Sequence, residues 1–355
     1  MKVLTIGGAT QDIYIVPKQL ETLNLKGTSY LALEVDTKIE LETILYSTGG
    51  GATNSAVSFS RLGFQTFINC LLGKDLAAHA VIQKLEQENV NTNYIHTTDE
   101  SQTGRSFIIP SAGGKRTILS FRGANTHLHR EHMPLSMLKQ FDLIYITSLS
   151  DAAAPLLLPI ALQARELGVK IATNPGGSQL HAGIGAQILF QSLHAIDILI
   201  LNAQEAELFM GTISKEHLKA GAPISQKTNN LPSLLHATSC FNLLDYCATI
   251  IAQGPKIVVV TNGAEGVYVA TQNEILFHPA LKIDVINTVG AGDSFGSCFV
   301  ASIVQGESIE QALINGMINS ASVLTHHDAK EGLLTQQELQ KKATTSAVDV
   351  KNCTW

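Results

Sequence analysis

KIDVINTVGAGDSFGSCFVASIV, residues 282–304, is the most informative stretch of this chain. An apolar run leads into the turn Val289-Gly290-Ala291-Gly292, and Asp293 then opens a long segment of apolar and small residues. A glycine-rich turn that enters a helix is a natural anion site, because the first N–H groups of a helix lack partners and carry the positive end of its dipole. The glycines would let these amides approach a phosphate group without obstruction from a Cβ atom.

Asp293 is the unusual member of this turn, because a carboxylate beside an anion site repels the group that the site attracts. A general base would have a reason to be there. It would take the proton from a substrate hydroxyl while that oxygen attacks a phosphoryl group held by the amides of Gly290, Ala291 and Gly292. The alternative is an ordinary acid in the first turn of a helix. The motif alone leaves both interpretations open.

The composition is that of a well-packed globular protein, with 45% hydrophobic and 15% charged residues among 355. The formal charge of -6 argues against nucleic acid and anionic membranes as partners. No apolar run reaches the ~20 residues that span a bilayer, and the first residues predict an opening strand instead of a signal peptide. The five cysteines include no C-x-x-C pair, which favours a reducing, cytoplasmic location. The expected partners are small molecules or further copies of the chain.

Strand-length apolar runs alternate with helical patterns through most of the chain. The runs end in polar or glycine-containing turns, as in KVLTIGG, FDLIYITS, VKIATNPG, IDILILN and KIVVVTNG. This alternation predicts a single α/β domain over residues 1–355, with a doubly wound, mostly parallel sheet and helices on both faces. Ligands of such folds bind beyond the carboxyl ends of the strands.

Two insertions break this alternation, at about residues 13–46 and 103–122, where polar and apolar residues alternate with a period of two. They predict a small antiparallel β-sheet that serves as a lid or as a homodimer surface, and SAGGKR marks a hairpin between two of its strands. Residues 212–242 predict a surface loop with partial helix. The tail from residue 341 is expected to fray.

Two common phosphate-binding motifs are absent from the sequence. No G-x-x-x-x-G-K-[ST] Walker loop is present, and IGGATQD has adjacent glycines where a dinucleotide fingerprint requires G-x-G-x-x-G. The sequence therefore supports neither a P-loop nucleotidase nor a dinucleotide-dependent oxidoreductase.

Two longer segments carry a family resemblance. NTVGAGDSF (287–295) resembles the C-terminal signature of the ribokinase, or PfkB, family of carbohydrate and nucleoside kinases, and GGGATNSAVSFSRLG (49–63) resembles the N-terminal signature. Partial matches cover nearly the whole chain in GGATQD, NPG, NAQE and TNGAEG. An ordered set of motifs is far more specific than any one of them. The resemblance implies a ribokinase-like fold and an ATP-dependent, Mg²⁺-requiring kinase that phosphorylates a sugar hydroxyl.

The resemblance also implies roles for individual residues. Asp293 would be the base, and residues 290–292 would form the anion hole. The residues implied for the acceptor sugar are Asp12, Gly49, Gly50, Gly51, Asn54 and Asn174. The residues implied for the nucleotide are Asn202, Glu205, Thr261, Gly263, Gly266 and Asn319, with Glu205 organising Mg²⁺ through water. Without the resemblance, the glycine run would suggest only a tight turn, and NAQE an N-cap followed by an acidic first turn.

Asn287 departs from the family pattern, in which the C-terminal signature often begins with aspartate. Members that bind a monovalent cation beside the anion hole use that acid together with neighbouring carbonyl groups. Because loss of the charge weakens such a site, we expect little or no activation by potassium.

The acceptor is the least determined part of the sequence-based hypothesis. A free sugar is the leading expectation, and a nucleoside of the adenosine type is the first alternative. A phosphorylated or acidic sugar would need one of the lid cations to point inward: Arg105, Lys115, Arg116 or Arg122. The second alternative is a ligand-binding protein that reuses the fold without catalysis.

Overall fold

The structure is a computed structural model that describes residues 1–110, 116–149, 151–181, 184–212, 242–345 and 350–354. Its main body is a ten-stranded sheet in the order β16-β15-β14-β13-β12-β11-β10-β1-β6-β7. The strands of this sheet are β1 (Lys2–Ile6), β6 (Gln65–Gly73), β7 (Asn91–Thr98), β10 (Leu143–Ile146), β11 (Lys170–Thr173), β12 (Ile198–Asn202), β13 (Ile257–Thr261), β14 (Val267–Ala270), β15 (Glu274–His278) and β16 (Lys351–Thr354). Neighbours from β7 to β13 pair in parallel, and β14 to β16 add an antiparallel edge.

Helices cover both faces of this sheet, because successive side chains of a buried strand point to opposite faces. In β10, Ile144 and Ile146 pack into one core cluster, whereas Leu143 and Tyr145 pack into the other. The described helices are α1 (Gly51–Arg61), α2 (Leu76–Gln87), α3 (Leu157–Glu166), α4 (Gly177–His181), α5 (Ile184–Ser192), α6 (Ala203–Thr212), α7 (Leu243–Gln253), α8 (Ala291–Val304), α9 (Ile309–Leu324) and α10 (Gln336–Thr345). The doubly wound architecture predicted from the sequence is confirmed.

A separate four-stranded sheet forms the lid. It has the order β5-β2-β8-β9, with β2 (Thr10–Pro17), β5 (Leu41–Gly49), β8 (Gly104–Pro110) and β9 (Arg116–Phe121). The outer pairs β2–β5 and β8–β9 are antiparallel, as expected, while the central pair β2–β8 is parallel because both strands leave the main sheet in the same direction. A small hairpin of β3 (Glu21–Leu25) and β4 (Thr28–Ala32) extends from the first insertion.

Two further sequence-based expectations concern the second half of the chain. The expected frayed tail is wrong in part: α10 continues to Thr345, and β16 pairs with β15 at the edge of the main sheet. The expected surface loop at 212–242 falls on residues 213–241, which lie outside the described residues. The centre of the expected hairpin, residues 111–115, lies outside them as well, although the flanking strands pair as a hairpin would.

Candidate active site

A polar pocket opens at the carboxyl ends of four neighbouring parallel strands, β10 to β13, where the first turn of α8 meets the sheet. Its position agrees with the general rule for doubly wound sheets. The residues that line it are Gly51, Thr147, Ser148, Asn174, Gly176, Ile200, Leu201, Asn202, Glu205, Thr261, Thr288, Gly290, Ala291, Gly292 and Asp293. Nine of these are residues predicted from the sequence: Gly51, Asn174, Asn202, Glu205, Thr261, the turn 290–292 and Asp293.

The turn at 290–292 starts α8 without a side-chain cap. Gly290 occupies the left-handed region at φ 79°, and a Cβ atom there would lie 2.5 Å from the Cβ of Ala329. At Gly292 an added Cβ would meet no atom within 4 Å, so this stretch of backbone faces open space. The first amides of α8 are therefore accessible from the pocket, as an anion-binding site requires.

The glycine run 49–51 brings backbone close to two carboxylates. A Cβ on Gly49 would overlap Asp12 Oδ2 at 2.0 Å, and a Cβ on Gly51 would lie 3.3 Å from Asp293 Oδ1. Gly50 adopts φ 94°, and a Cβ there would overlap the carbonyl oxygen of Gly8 at 2.4 Å. Each glycine is therefore required by a close approach, beyond the needs of an ordinary turn.

Asn54, in the first turn of α1, links the acid of the C-terminal signature to a lysine. Its Nδ2 donates to Asp293 Oδ2 at 2.8 Å, and its Oδ1 accepts from Lys330 Nζ at 2.6 Å. Burial raises the pKa of Asp293, while the Asn54 hydrogen bond and the positive charge of Lys330 act in the opposite direction. Such a carboxylate is a stronger base than an exposed aspartate.

Asp12 lies on β2, at the root of the lid, with only 5% of its surface exposed. Thr10 Oγ1 donates to its Oδ1 at 2.9 Å. Its negative charge favours the protonated forms of both Asp293 and Lys330, so it acts to raise the pKa of each. Asp12, Asn54 and Asp293 are thus brought together from three distant parts of the sequence.

Asn202 and Glu205 cap the start of α6 reciprocally: Asn202 N–H donates to Glu205 Oε2 and Glu205 N–H donates to Asn202 Oδ1, both at 2.9 Å. The capping interpretation of NAQE is thus correct as local geometry. Both side chains also line the pocket. Burial raises the pKa of Glu205, although amides of Asn202 and Gly177 stabilise its charged form.

The residues predicted for the nucleotide divide into two groups. Thr261 lines the pocket at the end of β13. Gly263 and Gly266 form the following turn and do not line it; a Cβ on Gly266 would overlap the carbonyl oxygen of His278 at 2.2 Å. Gly266 therefore has a clear structural role in the turn from β13 to β14.

Asn319 does not fit the expectation of an adenine contact. It is fully buried on α9, where Nδ2 donates to the carbonyl of Ser294 at 2.9 Å and Oδ1 accepts from Leu334 N–H at 3.0 Å. Its amide joins α9 to α8 and to the segment after α9, so we leave it out of the nucleotide site.

Asn287 uses its whole carboxamide inside the protein. Nδ2 donates to the carbonyl of His327 and to Tyr14 Oη, the latter at 3.2 Å, and Oδ1 accepts from Val289 N–H at 3.0 Å. An N–H donor thus faces a backbone carbonyl where an aspartate would present a negatively charged oxygen.

The lid cations have different surroundings. Arg105 contacts Asp75 at 3.5 Å and Gln102 at 2.6 Å at the base of the lid. Arg116 reaches from β9 to Thr288, which lines the pocket, and its buried Nε has no hydrogen-bond partner among the described residues. Arg122 is exposed, and Lys115 lies outside the described residues.

Sequence reasoning missed Lys330, which contacts Asn54 beside this site. It also missed several residues that line the pocket, namely Thr147, Ser148, Gly176, Ile200, Leu201 and Thr288. Lys330 follows α9 in the segment HHDAKEG, which matches no motif, and a lysine is ordinarily exposed.

No helix in the described part of the chain is long and apolar enough to cross a bilayer.

Comparisons with known proteins show the family and the fold. The family model described as pfkB family carbohydrate kinase matches residues 3–336. The chain is similar to a ribokinase of Haemophilus influenzae, at 28% identity over 82% of this chain and 85% of that protein. It is also similar to an ATP-dependent ribose-1-phosphate kinase of Halopiger xanaduensis, at 23% identity over 78% and 81%. The structure of Arabidopsis thaliana ribokinase complexed with ribose and ATP matches with a TM-score of 0.74 at 19% identity, over 97% of this chain and 99% of that one.

Proposed function

Because this chain belongs to the pfkB family of carbohydrate kinases, we propose that it transfers the γ-phosphate of ATP to a hydroxyl group of a sugar, with Asp293 as the general base. The observation that carries this proposal is the position of Asp293. Its carboxylate lies in the first turn of α8, beside accessible helix amides on one side and beside Asp12 and the glycine run on the other. A phosphoryl group and an acceptor hydroxyl can therefore meet at this carboxylate.

The transfer begins with the acceptor hydroxyl hydrogen-bonded to Asp293. Burial raises the pKa of this carboxyl, so it accepts the proton more readily as the hydroxyl oxygen attacks the γ-phosphorus atom and the bond from that phosphorus to the departing ADP breaks. The amides of residues 290–292 stabilise the negative charge on the oxygens of the moving phosphoryl group. Closure of the lid over the pocket would exclude water and limit the hydrolysis of ATP.

The acceptor is held, in this proposal, between the root of the lid and the main sheet. Asp12 accepts hydrogen bonds from sugar hydroxyls. Gly49 and Gly50 let the backbone pack closely against Asp12 and Gly8, and Gly51 faces the sugar from the pocket wall, where Asn174 offers a polar contact at the end of β11. Asn54 donates one Nδ2–H to Asp293 and accepts from Lys330, and its second Nδ2–H can donate to a sugar hydroxyl.

The donor nucleotide occupies the other side of the pocket, near Asn202, Glu205 and Thr261. Mg²⁺ binds phosphate oxygens and waters together with few protein ligands, and Glu205 is a suitable carboxylate that can hold one of those waters. When bound, the ion neutralises charge on the donor phosphates.

A phosphorylated sugar is a second candidate acceptor. Arg116 supports it, because its guanidinium approaches Thr288 at the pocket and keeps one buried N–H without a partner among the described residues. The similarity to a ribose-1-phosphate kinase points the same way. A panel of pentoses, hexoses, their phosphates and nucleosides, assayed for ATP consumption, separates these candidates; tight binding without turnover across the panel would favour a non-catalytic binding protein.

We also propose that the lid forms a homodimer surface. The proposed location of the protein is the cytoplasm. Large apolar side chains are exposed on the lid sheet at Leu45, Tyr46 and Leu119, and on the adjoining β3–β4 hairpin at Leu23 and Tyr30. Burying such a surface against a second copy removes apolar area from water. Sedimentation velocity measures the oligomeric state directly.

The assignment of the base is tested by Asp293→Ala. Loss of a positioned base lowers kcat by about 10²–10⁴-fold, whereas the affinity for ATP, measured by direct titration, should change little. Asp284→Ala is a matched control, because Asp284 is an exposed acid on the segment that leads into the same turn. Retention of near wild-type kcat in Asp293→Ala would overturn the assignment.

A further inference from the structure

Lys330 is a buried cation that contacts Thr48 and Asn54, and the proposed chemistry gives it no role. Only 1% of its surface is exposed. Its ammonium donates to the carbonyl of Thr48, at the end of β5, and to Asn54 Oδ1 at 2.6 Å. Both acceptors are neutral oxygens that adjoin the glycine run.

A lysine is costly in such a place. Burial lowers the pKa of Lys330 to about 8, even though the charges of Asp12, Asp328 and Asp293 favour its protonated form. An apolar side chain would avoid this desolvation cost, and perturbed ionisable groups in clefts are concentrated at functional sites.

The ammonium fixes the orientation of Asn54. Lysine can only donate hydrogen bonds, so the oxygen of the Asn54 carboxamide must face it. The Nδ2 atom of Asn54 then necessarily points the other way, where it donates to Asp293 Oδ2 at 2.8 Å. This leaves Asp293 Oδ1, the oxygen on the side of Gly51, to accept the proton of a substrate hydroxyl.

The backbone around Lys330 is held in place by α1, the helix that also carries Asn54. Arg61, the last residue of α1, donates to the carbonyls of Lys330 at 2.9 Å and Leu333 at 2.7 Å. Asp328 Oδ1 accepts from the N–H groups of Lys330 at 2.8 Å and Glu331 at 2.6 Å. The positions of Lys330 and Asn54 are therefore both set by α1.

We propose that Lys330 is a positioning residue for phosphoryl transfer, which orients Asp293 through Asn54 and keeps its carboxylate ionised. This proposal rests on Asp293 being the general base. Lys330 does not need to touch either substrate for this role.

Two substitutions separate the hydrogen bonds of Lys330 from its charge. Lys330→Met removes both, whereas Lys330→Gln keeps an amide donor, one bond shorter, without the charge. Lys256→Met is the control, because Lys256 is an exposed lysine paired with Asp197 at the opposite end of the sheet. We expect Lys330→Met to lower kcat by about 10–100-fold, the scale for a misplaced catalytic group, with little change in KM for ATP and a smaller loss in Lys330→Gln.

The dependence of kcat on pH gives a readout that a merely structural role would not change. The charged groups that face the ammonium are Asp12 on β2, Asp293 on α8, Asp328 on its own segment and Lys84 on α2. Because the pKa of Lys330 is about 8, wild-type kcat should fall above about that pH as the ammonium loses its proton. This alkaline limb should be missing in both variants. Their acid limb should lie at higher pH, because Asp293 loses a positive neighbour that favours its ionised form.

Thermal unfolding of every variant accompanies the kinetics. The proposal is overturned if kcat stays within about twofold of wild type, or if kcat falls while both limbs of the pH profile keep their wild-type positions. Asp293→Ala distinguishes the underlying assignment. If that variant keeps full activity, the base itself is wrong, whereas an inactive Asp293→Ala beside an unaffected Lys330→Met removes only the role of Lys330.

Discussion

Asn287→Asp should replace a hydrogen-bonded contact between the segment before α8 and the segment after α9 with a contact that needs a bound cation. In the wild type the Asn287 amide donates to the carbonyl of His327 and to Tyr14 Oη. The substitution replaces that donor with a carboxylate oxygen of almost identical shape. Two oxygens would then face each other in a site where only 9% of the residue's surface is exposed.

The expected loss of folding stability follows from the contacts that the substitution keeps and removes. The Tyr14 hydroxyl can rotate and donate to the new carboxylate, so that contact is retained. The contact to the carbonyl of His327 cannot be retained, and an unpaired buried acceptor costs about 1–3 kcal/mol. For a chain of 355 residues, this corresponds to a fall in Tm of roughly 1–4 °C.

A bound monovalent cation would relieve the contact between the two oxygens. If potassium binds the variant with a Kd of about 10 mM, then 100 mM potassium restores about 1.4 kcal/mol. The assay is thermal unfolding and kcat of both proteins in potassium, sodium or choline chloride at equal ionic strength. The wild type should respond equally to the three salts, whereas the variant should be more stable and more active in potassium.

Two results would refute this reasoning. Strong stimulation of the wild-type enzyme by potassium over choline would show that the Asn287 amide does not take the place of a cation. A variant as stable as the wild type in choline, with no response to potassium, would show that the carboxylate is accommodated in another way.

Two other predictions concern the turn and the acid stability of the fold. Gly290→Ala should destabilise the protein by about 2–4 kcal/mol in denaturant unfolding, from the left-handed φ and the clash with Ala329. Gly292→Ala should leave stability unchanged or slightly higher yet lower kcat/KM, because its Cβ enters open space at the anion hole; equal stability losses would contradict this contrast. Hydrogen bonds from Arg61 lower the pKa of Glu88 to about 2, so this pair should stabilise the fold above about pH 4.5 and lose that effect as pH falls toward 2. In urea unfolding, the stability difference between wild type and Arg61→Met should shrink over that range, and a constant difference would exclude the linkage.

The parts of this site that could be predicted from sequence are those in which the residue types indicate a particular local backbone conformation, such as a glycine turn at the start of a helix. The turn 290–292 combines glycines with a helix start, and the run 49–51 combines glycines with another helix start. The run 49–51 comes at the end of the lid strand β5 and the turn 290–292 follows the loop after β15, and the fold brings Gly51 next to Asp293. Asp293 and Asn54 follow from these two segments, because each lies in the first turn of its helix.

The parts that could not be predicted depend on contacts distant in sequence. Lys330 lies 276 residues from Asn54, and its burial depends on how the segment after α9 packs against α1. Asn319 is a second example: the family resemblance implied a nucleotide contact there, whereas the structure shows its amide hydrogen-bonded to the carbonyl of Ser294 between α9 and α8. The tail strand β16 is stabilised by β15, more than 70 residues earlier, which a local pattern cannot reveal.

The lid grows directly out of the acceptor side of the pocket. Thr10 pairs with Gly49 and Asp12 pairs with Ser47. The paired lid strands β2 and β5 therefore carry, at the end nearest the main sheet, residues proposed to bind the sugar. The amides of α8 and the residues at the ends of β12 and β13 belong to the main body instead. A graft of the lid between related kinases would therefore transplant acceptor preference as a module, while the recipient kept its own machinery for the donor phosphates.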